Sequence, residues 1–200
     1  MLKFPSKYEK FWKWFRAHED EIFQFEADRD RVFDKLAAHL QRVHPNLTFE
    51  FSSVDGGRRE FIVSAGGIRK AFAEVVALVR EAPVLERWQV IAFRQRKDIP
   101  AIQCGDKAIE RDAVFFDYGL AGEKIDLTVF VEGIANGSAK DIVGLKTVGY
   151  LLLDATAGEY DVETKIAGIE FVDASSFPEK RRIPLRDLPN VIDSLPRAVQ

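Results

Sequence analysis

The side chains with the most chemical capacity form a short acidic run late in the chain. Glu159, Asp161 and Glu163 follow Gly158 at alternate positions. If the segment is helical, Glu159 and Glu163 stand four residues apart on one face. Two neighbouring carboxylates can exchange protons with a substrate or hold magnesium. The same residues serve as solvated charge at a helix start, where the dipole favours negative groups, and we favour that reading. His18 adds a group that titrates near neutral pH. It falls between Phe15 and Ile22 on the apolar side of a predicted helix, and because position 22 is Ile the two-histidine zinc pattern fails. A partly buried, hydrogen-bonded histidine is the expected role. Three His and one Cys are too few for a structural zinc set, so neither metal nor cofactor is expected. Cys104, in Gln-Cys-Gly-Asp, carries no local signature of an activated thiol. No G-x-S-x-G elbow is present. The catalytic candidates are therefore Glu159, Asp161, Glu163 and His18, without a constellation that names a reaction.

Binding candidates come from three places. Ala65-Gly66-Gly67 lies between a predicted strand and a predicted helix, so the Gly66 and Gly67 amides could meet an anion. The full phosphate-loop pattern is absent, and ordinary turn chemistry explains both glycines. Arg94 and Arg96, with Lys97, end a predicted strand. With Arg58-Arg59 and Lys180-Arg181-Arg182 they would bind a phosphate or an acidic partner if they converged, and otherwise act as solvated edges that block unwanted pairing. The third place is the N-terminus. Residues 1–17 hold Lys3, Lys7, Lys10, Lys13 and Arg16 against one acid, Glu9, interleaved with Phe4, Tyr8, Phe11, Trp12, Trp14 and Phe15. Most of these aromatics follow one stripe, as a core helix requires. Trp12 and Phe23 widen or leave that stripe, and exposed aromatics are favoured interface anchors. Core packing is the favoured role of this helix; the alternative is a surface for another protein, since the run Glu19–Glu21 would repel anionic lipid.

These side chains need a frame. Apolar spacing of three and four predicts helices over residues 6–25 and 27–43. Alternation predicts strands at 47–52 and 59–65, joined at Asp55-Gly56-Gly57. A helix over 68–82, stopped by Pro83, and a strand over 87–95 follow. Residues 96–111 read as a loop with one short strand, at 101–104 or 108–110. Then come strands 113–118 and 124–133, a helix from Ser138 to about 156, a helical turn at 160–165, a strand at 168–174 and a short helix at 188–195. The order strand, strand, helix, strand thus occurs twice, over 47–95 and 113–174. Crossovers should make parallel pairs and hairpins antiparallel ones. The expected fold is α+β: one domain with a mixed six- to seven-stranded sheet, preceded by a helical pair in 1–44 and followed by a tail from 175.

Composition bounds function. The chain has 200 residues, 46% of them hydrophobic and 30% charged, which excludes disorder and a disulfide scaffold. The net charge is −3, whereas a duplex nucleic-acid binder needs a basic face. No run of 18 apolar residues exists, so no transmembrane segment is expected. Residues 1–5 do not read as a secretory signal, and cytoplasm is the expected location. Three function classes remain. The leading one is a non-enzymatic protein-interaction module, an adaptor or an inhibitor- or immunity-type binder. The others are an enzyme using the clustered carboxylates and a phosphate- or small-ligand-binding module.

Overall fold

The computed structural model describes residues 4–104, 107–134, 138–176 and 182–195. The chain divides into two compact units, Met1–Arg94 and Gln95–Gln200, and each contains its own cluster of buried apolar side chains.

In the first unit, helix α1 (Lys7–Ala17) begins at Ser6, whose hydroxyl accepts from the Glu9 amide while the Glu9 carboxylate accepts from the Ser6 amide. This reciprocal pairing satisfies two otherwise orphaned donors. The expected single helix over 6–25 is interrupted at His18, which leaves the helical region (φ −118°, ψ 15°). Helix α2 (Glu19–Phe23) and a 3-10 turn, Phe25–Ala27, replace its second half. The break re-aims the chain so that Phe23 meets Trp88, and Phe25 meets Phe33 and Phe51. Helix α3 (Arg29–Val43) buries Val32, Leu36, Leu40 and Val43. It stops at His44, which is extended, as a residue before proline must be.

Strands β1 (Thr48–Phe51) and β2 (Arg59–Ser64) pair antiparallel, with Phe51 opposite Phe61. Gly66 and Gly67 then take positive φ (56° and 77°), a region in which a Cβ is strained. A 3-10 turn, Arg69–Ala71, leads into helix α4 (Phe72–Arg80), and strand β3 (Trp88–Ala92) returns parallel to β2. The sheet order is β1-β2-β3.

The second unit opens with a hairpin of β4 (Ala101–Cys104) and β5 (Lys107–Glu110), where one strand was expected. Strands β6 (Phe115–Ala121) and β7 (Lys124–Val131) pair antiparallel. Helices α5 (Ala139–Ala157) and α6 (Glu159–Lys165) carry the chain to β8 (Ile166–Asp173), which lies parallel to β7. Strand β9 (Ile183–Pro184) adds to the other side of β6, and α7 (Leu188–Ser194) ends the described chain. The order is β8-β7-β6-β9. Helix α5 carries Gly149 where the ring of Phe171 on β8 comes closest. A Cβ at that position would collide with the ring.

The α+β class holds, and both β-β-α-β units are present with the expected pairings. The single sheet of six to seven strands is corrected: the strands form three sheets of three, two and four. Alternation marks a segment as a strand but does not name its neighbour. Pairing of β3 ends at Ala92, and the next residue, Phe93, adopts a left-handed conformation (φ 64°).

Candidate functional site

The carboxylate candidates all lie on α6. Glu159 is fully buried in its first turn. Asp161 accepts from Arg96 Nη2 at 2.8 Å and lies 3.4 Å from Lys165 Nζ. Glu163 is half-buried and also engaged. Glu159 and Glu163 share a face, as their spacing requires. Asp161 is drawn into an ion cluster instead.

The centre of that cluster is Arg96. It donates to Asp193 Oδ2 and Oδ1 at 2.8 and 2.7 Å, to Asp161, and through Nε to the Ala157 carbonyl at 2.9 Å. Hydrogen bonding to Asp193 first, and then to Asp161, raises its pKa further above the ordinary arginine value. A guanidinium forked onto two carboxylates and a carbonyl has little capacity left for a phosphate. Arg94 is held by Glu50 on β1. The two arginines belong to different units and are each neutralised within their own. Lys180 and Arg181 lie outside the described residues, as does the Cys104 side chain.

The glycine turn closes on itself, because the Gly66 amide donates to the Ser64 hydroxyl at 2.9 Å. His18 stands in a ring stack. Its imidazole lies 5.0 Å from the Trp14 ring, and His39 stacks on the same indole at 3.8 Å and 9°. Nδ1 of His18 is 2.9 Å from the Trp14 carbonyl, so that nitrogen carries the proton. Burial, then the charges of Arg42 and His18, lowers the pKa of His39. Both histidines are thus packing groups beside α1. Among the described residues no three His, Cys, Asp or Glu side chains gather as a metal site.

The two aromatics carried as interface candidates differ in burial. Trp12 is 3% exposed, packs on Phe11, Phe15 and Phe61, and donates from Nε1 to the Leu78 carbonyl at 2.9 Å. The widened stripe is satisfied by α4 on one side and the sheet below. Phe23 is half-buried against Trp88 and covered by the guanidinium groups of Arg87 and Arg59, 4.7 and 5.3 Å from its ring.

The polar side of α1 remains. Glu9, Trp12, Lys13 and Arg16 of this helix, with Glu81 and Pro83 beyond the end of α4, line an open groove of about 450 Å³. Glu9 is committed to the Ser6 amide, and Glu81 accepts from the Ser6 hydroxyl at 3.3 Å. Lys13 and Arg16 are exposed, and no side-chain hydrogen bond or ion pair joins either to another described residue. Nearby Lys7 differs. It is paired with Glu74 at 2.6 Å, and this bond lowers the Glu74 pKa. The groove therefore offers two cations with no side-chain partner among the described residues, beside half-buried Pro83. Its basic half was visible in sequence as the charge interleaved with the aromatics. Its other wall, supplied by residues 81–83, had no local signal.

A comparison with protein-family models finds none that matches this chain, and a comparison with curated proteins finds no relative. No helix of the described residues is long and apolar enough to cross a membrane.

Proposed function

We propose that this protein is a non-enzymatic interaction module, and that its contact surface is the groove between α1 and the end of α4. One observation carries the reading: Lys13 and Arg16, beside Trp12 and Pro83, have no side-chain partner among the described residues, while the acids of the same groove are bound to Ser6. Support also comes from the alternatives. The carboxylates named from the sequence sit in buried or ion-paired positions, and Arg94 and Arg96 are neutralised by acids. The surface differs from the expected one, since the aromatics of α1 build the core and its charges face outward.

A photo-crosslinking side chain placed at Lys13, used in the native cells, tests the reading. A discrete adduct is expected from position 13 and none from the exposed control position Lys146 on α5. The purified partner should then bind the wild type and lose affinity for the exposed double variant Lys13→Glu/Arg16→Glu. Equal adducts at both positions, or unchanged affinity in the variant, would overturn it.

A further inference from the structure

We infer that the groove receives an acidic protein segment that is negative at one end and apolar beside it. This rests on the proposed interaction role and adds the chemistry of the partner. The groove is polar along its length. Glu9 lies at the N-terminal end of α1, and Lys13 and Arg16 follow at four and seven residues, so the charge changes sign over about 10 Å of helix. Lys13 and Arg16, three apart, are neighbours on the helix surface. Two carboxylates on one side of an extended segment, spaced by about 6.6 Å, match such a pair. Half-buried Pro83, which lines the same groove, offers an apolar surface to a side chain next to them. A nucleic-acid strand fits less well, because its charge is uniform and the Glu9–Glu81 end would repel it. Arginine adds bidentate geometry toward carboxylate, which a lysine pair would lack.

Fluorescence anisotropy with the full chain and four labelled probes tests the inference. The probes are a peptide with clustered Glu followed by Leu residues, the same residues with Lys for Glu, a uniform oligo-Glu, and an oligothymidylate of equal length. The Glu-Leu peptide should bind most tightly. Its affinity should fall roughly tenfold or more in Lys13→Glu/Arg16→Glu, and should weaken as salt is raised through about 0.1 M. The same peptide should tolerate Lys146→Glu. If the oligothymidylate binds as tightly and is lost in the same variant, the groove reads polyanions and the inference fails. If no acidic peptide binds, the inference fails too. In either case, a cross-linked partner at position 13 would leave the interaction role standing, whereas no adduct there would remove both.

Discussion

The two units use one topology and fill it differently. In each, a hairpin is followed by a helical crossover that sets the third strand parallel to the second. The second strand is therefore central to both β-β-α-β motifs. In the first unit one of its inward residues is Phe61, between Phe51 and Val90, and another is Val63, between Phe49 and Ala92. In the second, Val129 is one of four, between Phe116 and Phe171. A ring sits on the central strand in the Phe61 row, whereas both rings of the Val129 row sit on its flanks. Phe61 lies 5.1 to 6.4 Å, ring to ring, from Phe11, Trp12, Phe15, Phe49, Phe51 and Trp88. The second core is built instead from Val, Leu and Ile with Phe116. Eleven of the 16 Phe and all three Trp precede residue 95. Charge divides as well: Met1–Arg94 holds 16 basic and 14 acidic side chains, and Gln95–Gln200 holds 13 and 18. One pattern of strand and helix thus tolerates two interiors, because what topology demands is apolar volume on one face. Surface charge is free to differ.

The sharpest way to break this comparison is to empty the two centres. Phe61→Ala should cost about 3 to 5 kcal/mol, the usual loss for a buried aromatic. Denaturant titration followed by tryptophan fluorescence reads it directly, since Trp12, Trp14 and Trp88 all report on the first unit. Val129→Ala should cost about 2 kcal/mol, for two lost methyl groups and a small cavity. Hydrogen exchange along β7 measures that loss. Equal costs would show that the different fillings carry no energetic difference.

The two arginine clamps sharpen the comparison at smaller scale. Arg59 on β2 is 5% exposed, donates to the Ser52 carbonyl at 3.0 Å and to Glu26, and lies against the rings of Phe23 and Phe25. Arg59→Ala should lose about 2 to 3 kcal/mol, because the stem, the ring contacts and two bonds go together. Arg96 makes more hydrogen bonds but is 35% exposed, so solvent screening limits Arg96→Ala to about 1 kcal/mol. Denaturant midpoints of both variants check the order, and a larger loss for Arg96 would reverse it.

The smallest expected effect is a pH dependence seated in the first unit. Folding lowers the His39 pKa below its ordinary 6.5, chiefly through burial. The unfolded chain then takes a proton before the folded one does. Stability from this group is complete above about 6.5 and declines as pH falls through the folded pKa. Glu21, Glu26 and Glu74, held down by Lys35, Arg59 and Lys7 respectively, add a second loss below about 4.5. Melting temperatures from pH 8 to 5 should fall, and His39→Phe, which keeps a ring for Trp14, should flatten the upper part of that decline. An unchanged profile in the variant would assign the decline elsewhere.

Much of the frame was legible in the chain. Alternation at Phe49 and Phe51, the spacing in α3 and α5, and the glycines before α4 each report a local constraint, and each segment formed. The break at His18 was hidden, because Phe15, His18, Ile22 and Phe25 keep helical spacing across it. The candidate site was half legible. The cations of α1 follow directly from residue type, but nothing near them in sequence announces Glu81 and Pro83. Arg96 was legible as charge and misleading as a binder, since its neutralising partners lie 65 and 97 residues away.

The sequence by itself determined the α+β class, the repeated strand-strand-helix-strand order and the apolar faces, because periodicity and turn chemistry act over a few residues. Only tertiary structure decided how strands were shared among sheets, which aromatics became core and which charges stayed uncommitted. Those outcomes depend on partners distant in sequence. Trp12 is buried against Phe11, Phe15 and Phe61, with the Leu78 carbonyl there to accept its indole hydrogen bond. Lys13, one residue on, is exposed and makes no ion pair with another described residue.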